Sequence, residues 1–125
     1  MGQKVLIVDD EAHIRLLIQQ TLEELEERGV EILTAANGEQ ALEIIQTDKP
    51  DLIFLDVMLP KMNGFDVCDR VRNDWGMRDV YIVMLTAKGQ EFDRQKGEQV
   101  GANVYMTKPF DPDELLRKAV EVLGL

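Results

Sequence analysis

Asp9, Asp10, Asp56, Thr86 and Lys108 are far apart in the chain, yet each stands at or beside the C-terminal end of a short hydrophobic run. The runs are Val5–Val8, Leu52–Leu55, Tyr81–Leu85 and Val104–Met106. Three carboxylates brought together at strand ends would repel one another by about 3 kcal/mol per pair at ~5 Å and an effective dielectric of ~20. A hard divalent cation on oxygen ligands offsets this. Mg²⁺ takes one or two carboxylates, keeps waters and leaves room for phosphate oxygens. Asp10 and Asp56 are expected as direct ligands and Asp9 as a ligand through water, with Mn²⁺ able to replace Mg²⁺. Lys108 adds a fixed positive charge. This set suits phosphoryl transfer, where positioning and charge neutralisation supply most of the catalysis. Asp56, between metal and lysine, is the candidate nucleophile and would become an aspartyl phosphate. Thr86 and Lys108 would each hold a phosphoryl oxygen.

Taken singly, each residue has a plain structural reading. An Asp pair after a strand is often a helix cap, a lone Asp is a solvated loop acid, a Thr at a strand end is a β-former and a Lys is a surface charge. The coincidence of all five at strand ends argues for one site, because ligands of open α/β sheets bind beyond the carboxyl ends of the strands.

Such convergence requires crossover helices between strands, and the intervening sequence supplies them. Ile14, Leu17, Ile18, Leu22 and Leu25 recur at steps of three and four, predicting a helix from about Ala12 to Arg28 with an apolar stripe. Residues Val30–Ala35 read as a second strand, Asn37-Gly38 as a turn, and Glu39 to about Thr47 as the next helix. Phe65, Val67, Cys68 and Val71 give a helix reaching about Asp74. Residues Gln90 to Val100 form the weakest helix, with Phe92 and Val100 as their only large apolar members and Gly97 inside. Asp111-Pro-Asp-Glu opens the last helix with capping chemistry, and Leu115, Leu116, Ala119, Val120 and Leu123 form its stripe. Five strands alternating with five helices predict a doubly wound α/β fold with a parallel sheet.

The chain has 125 residues, 45% apolar and 30% charged, which fits one domain over 1–125 with nothing left for an output domain. A net charge of −10 disfavours direct binding to nucleic acid or anionic lipid. No apolar run approaches a membrane span and no secretory leader is evident, so a cytoplasmic location is expected. The single Cys68 reads as a buried thiol, His13 as solvated or capping, and Trp75 as a packing residue.

Val8-Asp-Asp-Glu, Leu55-Asp-Val-Met-Leu-Pro with Gly64, Leu85-Thr-Ala and Met106-Thr-Lys-Pro-Phe together resemble the receiver domain of bacterial two-component response regulators, over essentially the whole chain. The resemblance implies a flavodoxin-like (βα)5 fold with strand order 2-1-3-4-5. It implies that Asp56 accepts a phosphoryl group from a sensor histidine kinase, a phosphotransfer protein or a small acyl phosphate. Asp9 and Asp10 then match the acidic pair, and the backbone carbonyl of Met58 the remaining protein ligand of the metal. Thr86 and Tyr105 resemble the family's switch pair, and a cis peptide is implied between Lys108 and Pro109. The signal would leave through the surface of helix 4 (residues 90–100), strand 5 and helix 5 toward a downstream protein. The chain would be a monomer, or a dimer formed on phosphorylation. It would be a switch with slow hydrolysis of its own phosphoaspartate, and no turnover enzyme. Met58 and Lys88 depart from the chemotaxis member of the family, which carries Asn and Glu there. They are expected to set the lifetime of the phosphorylated state.

The alternatives are a receiver-like interaction module that is never phosphorylated, and an aspartate-nucleophile phosphatase of the haloacid dehalogenase type. The first would have lost Asp56, Lys108 or an acidic-pair member, and none is lost. The second resembles Asp-x-Asp, whereas Met58 follows Asp56-Val57 here. Flavodoxin-like and dinucleotide-binding readings fail because Asp-Asp-Glu stands where a phosphate-cradling loop or Gly-x-Gly-x-x-Gly is needed.

Overall fold

A computed structural model describes residues 2–87 and 99–125. Its elements are β1 (Lys4–Val8), α1 (Ala12–Thr21), α2 (Glu23–Glu27), β2 (Glu31–Ala35), α3 (Gly38–Asp48), β3 (Leu52–Asp56), α4 (Gly64–Asp69), β4 (Tyr81–Ala87), β5 (Val104–Lys108) and α5 (Pro112–Leu123). The strands form one parallel sheet in the order β2-β1-β3-β4-β5, as expected.

The hydrophobic runs are continuous because both faces of the sheet are covered, and alternate residues serve opposite cores. Leu6 and Val8 of β1 pack with Ala41, Leu42 and Ile45 of α3 and with Phe65, Val67 and Cys68 of α4. Val5 and Ile7 pack on the other side with Ile18, Leu22 and Leu25 and with Leu115, Ala119 and Leu123 of α5. β3 lies at the centre and is buried along its whole length.

Local chemistry sets the helix starts. Asn37 caps α3, its side chain accepting from the Gln40 N–H at 2.8 Å. Asn63 and Asp66 form a reciprocal capping box at α4. Asp111 caps α5 with Pro112 in the first turn.

Three expectations need correction. The predicted helix Ala12–Arg28 is two helices, broken at Leu22, where the backbone reaches φ −95° and ψ 6°. The Leu25 N–H bonds to the Leu22 carbonyl three residues back, a tightening that keeps both leucines fully buried. Leu17 does not belong to the buried stripe and is 39% exposed. It lies about 100° around the helix from the centre defined by Ile14, Ile18, Leu22 and Leu25. The third predicted helix is α4 followed by a wide π-helical turn over Arg70–Asp74, closed by a bond from the Trp75 N–H to the Arg70 carbonyl. The predicted helix Gln90–Val100 lies outside the described residues except for Gln99 and Val100, which are helical.

Candidate functional site

β1 and β3 end side by side, and the chain beyond each turns over the carboxyl edge of the sheet. Asp9 is fully buried, and its main-chain N–H donates to the Ala35 carbonyl at 3.2 Å. Its Oδ1 accepts from the Glu11 N–H at 2.9 Å, while Arg15 donates to its carbonyl at 2.8 Å. Asp56 is 3% exposed and accepts from the Met58 N–H through Oδ1 at 3.1 Å. The Lys108 Nζ lies 2.8 Å from Asp9 Oδ2 and 3.3 Å from Asp56 Oδ2, joining the ends of β1, β3 and β5 in one ionic cluster.

The electrostatics are unbalanced toward negative charge. Burial pushes the Asp56 carboxyl above its ordinary value and Asp9 pushes it further, with Lys108 and the Met58 N–H only partly opposing. Burial acts to lower the Lys108 ammonium, but its hydrogen bond to Asp9 and the charge of Asp56 outweigh it, so the group is held above its ordinary value. Asp10, exposed at the rim, adds a carboxylate, and Glu11 adds another. Carboxylate oxygens of Asp9, Asp10 and Glu11 all lie within 4.8 Å of one another. Glu11 was not among the expected site residues. Its motif position beside the acidic pair was visible, but its proximity depends on the turn that Asp9 closes.

Thr86 is 7% exposed, near the end of β4 opposite Thr107. Tyr105 stands opposite Met84, so Thr86 and Tyr105 are diagonal neighbours on the same face of the sheet. Tyr105 is half-buried against the α3–α4 core. Met58 is 61% exposed at the lip of the cluster. Lys88 lies outside the described residues. The Lys108-Pro109 peptide is cis.

Gly64 shows how closely the site is framed. A Cβ there would come within 2.4 Å of the Asp56 carbonyl oxygen and 3.0 Å of the Val57 Cα, so no side chain fits without displacing the strand end. The Gly64 N–H in turn bonds to the Val57 carbonyl at 2.9 Å.

Cys68, Trp75 and His13 take structural places. Cys68 is buried, donates to the Val100 carbonyl at 3.4 Å, and has its thiol pushed up to about 11 by burial. Trp75 packs against the core, and His13 is exposed beside Glu11.

A buried Asp at the end of the central strand, an acidic pair from the first and a lysine from the last occur together with a family-wide sequence match. Residues 5–120 match the response regulator receiver domain. The chain belongs to that family. The receiver domain is 47% identical over 98% of its length to the alkaline phosphatase synthesis transcriptional regulatory protein PhoP of Bacillus subtilis, covering 49% of that protein. It is 46% identical over 98% of its length to the phosphate regulon transcriptional regulatory protein PhoB of Pseudomonas aeruginosa, covering 52% of it. The chain thus spans about half the length of the curated relatives it matches. Among solved structures, the chemotaxis protein CheY4 of Vibrio cholerae superposes with a TM-score of 0.85 at 37% identity, covering 98% of this chain and 99% of that one. As a receiver domain of the two-component type, the chain is a phosphorylation-activated signalling switch and no turnover enzyme. The unphosphorylated interaction module is not favoured. No helix among the described residues is long and apolar enough to cross a membrane.

Proposed function

We propose that Asp56 is the phosphoacceptor, receiving a phosphoryl group from a sensor histidine kinase, a phosphotransfer protein or a small acyl phosphate. The carrying observation is the Asp9–Lys108–Asp56 cluster, in which one partly buried lysine faces two buried carboxylates with Asp10 and Glu11 at the rim. That oxygen-only, acid-rich set fits Mg²⁺, or Mn²⁺, with Asp10 and Asp56 as direct ligands, Asp9 through water and the Met58 carbonyl completing the protein's share. The Met58 carbonyl accepts no hydrogen bond among the described residues, which leaves it available. When bound, the metal neutralises charge on the phosphoryl oxygens. The chain's own residues do the rest: Asp56 attacks, Lys108 pairs with one oxygen and Thr86 donates to another.

The added charge draws Thr86 inward, and Tyr105, its diagonal neighbour, follows. The output is the face of β5 and α5, with residues 90–100, which lie outside the described residues up to 98, as its expected third part, and it serves a downstream protein rather than nucleic acid or membrane. Residues 1–125 act as one receiver unit in the cytoplasm, as a monomer or as a dimer formed on phosphorylation. Met58 borders the path of the hydrolytic water and, together with Lys88, which lies outside the described residues, sets the phosphoryl lifetime. Intact mass after incubation with Mg²⁺ and acetyl phosphate tests the core of this reading. One phosphate adduct is expected in the parent and none in Asp56→Asn; an adduct surviving in the variant would remove Asp56 from its role.

A further inference from the structure

Away from the acidic crevice, at the amino ends of β4 and β5, the π-helical turn buries Arg72 to 6% exposure. Its Nε donates to the Gly101 carbonyl at 2.9 Å, Nη1 to the Met77 carbonyl at 2.9 Å and Nη2 to Asn103 Oδ1 at 2.7 Å. These acceptors are all neutral, and they use three of the five guanidinium N–H groups. Buried charges are ordinarily paired with an opposite charge. Besides the buried Cys68 thiol, whose ionisation burial disfavours, the group whose charge acts on Arg72 is a second cation, Arg78, which is exposed and makes no ion pair among the described residues.

Both arginines line one cavity of about 280 Å³, together with Asn73, Gln99, Val100, Gly101 and Asn103. None of these lining residues is acidic, in a chain whose net charge is −10. The nearby Asp69 is engaged by the Asn73 side chain and lines a different cavity. Asn103 Oδ1 accepts from both Arg72 and the Ile82 N–H, at 2.7 Å each, which fixes the amide and leaves its amino group as a donor. Gly101 is shaped to the same purpose. At φ +94°, a Cβ there would come within 2.9 Å of the Arg72 side chain.

We propose that this cavity binds a small phosphate-class oxyanion, held between the remaining Arg72 N–H groups, Arg78 and the Asn103 amino group. A guanidinium fork and convergent amide donors are the chemistry that recognises such anions. The volume suits inorganic phosphate or a compact phosphate ester and falls short of a drug-sized ligand. Bound there, the anion pins residues 99–103 against the π-helical turn, immediately before the strand that carries Tyr105 and Lys108.

The test is a titration of the isotopically labelled full chain with inorganic phosphate at constant ionic strength, followed by amide and side-chain NMR. Saturable shifts are expected at the Arg72 Nε–H, the Asn103 side-chain amide and the Gly101 N–H. Arg78→Gln, an exposed substitution, should weaken binding at least about tenfold with the fold unchanged by circular dichroism. An acetate titration separates the two oxyanion chemistries: weaker binding than phosphate supports the phosphate class, and equal or tighter binding overturns it. Absence of saturation, shifts confined to the surroundings of Asp56, or an Arg78→Gln variant that titrates like the parent would each overturn the site.

Discussion

The two ends of this sheet each draw a cation inward, Arg72 buried and Lys108 partly so, and they treat it in opposite ways. At the carboxyl edge Lys108 lies between two carboxylates and holds its proton more tightly than usual. At the amino edge Arg72 meets only neutral carbonyl and amide oxygens among its hydrogen-bond partners, and burial pulls its guanidinium below its ordinary value. Geometry alone would make both look like structural clamps. The difference is in the charge balance. The carboxyl edge has more acid than one lysine offsets, the imbalance on which the proposed cation binding and phosphoryl transfer rest. The amino edge ties together the π-helical turn, the approach to β4 and the entry to β5.

Substitutions should separate the two clamps, and the largest effect belongs to the acidic one. Lys108→Ala should slow phosphorylation of Asp56 by acetyl phosphate by about 10²–10³-fold, measured by stopped-flow or quenched mass spectrometry. A loss below about tenfold would reduce Lys108 to a structural counter-ion. Arg72→Met should leave that rate within a few-fold but cost about 3 kcal/mol in urea unfolding, because the Asn103 and main-chain oxygens it served lose their charged donor. A smaller, opposite effect is expected at Asp56. Its folded carboxyl binds a proton more tightly than the unfolded one, so ionising it opposes folding. The parent therefore loses stability as pH rises from the ordinary carboxylate value of 3.8 toward the raised folded value, and the full penalty persists at neutral pH. Asp56→Asn should be more stable than the parent at neutral pH, on the order of 1 kcal/mol, with the advantage vanishing below the ordinary carboxylate range. Parallel stability curves across this range would show that the crevice carries no excess charge. The smallest effect is kinetic. Met58→Asn should speed loss of the phosphoryl group several-fold by orienting water beside Asp56, as read from the decay of the adduct.

What could be read from the amino acids follows the same division. The carboxyl edge was legible because its chemistry sits on motifs: uninterrupted β-branched runs say where strands end, and an Asp, Thr or Lys after such a run has few reasons to recur by chance. Sheet order came from family resemblance, since hydrophobic runs do not say which strand neighbours which. The amino edge was invisible. Arg72 follows Val71, and its charge argued for the solvated face, but the π-helical turn buries the two together. The spacing of Arg72 from Phe65 and Cys68 fits the apolar stripe, so it was the residue type, not the period, that hid it. Leu17 failed for the converse reason, an apolar side chain at the margin of a stripe whose width only packing decides. Glu11 became part of the acidic group through the bond from its N–H to Asp9, a detail of one turn rather than of a pattern.

The contact between Gly64 and Asp56 has a consequence for anyone who would rebuild this molecule. The polypeptide leaves Asp56, makes a short excursion and comes back to rest against that residue's own carbonyl. The excursion therefore works as a gauge block: a single methyl at its returning end would force the end of the central strand, and with it the Asp56 carboxylate, to shift relative to Lys108.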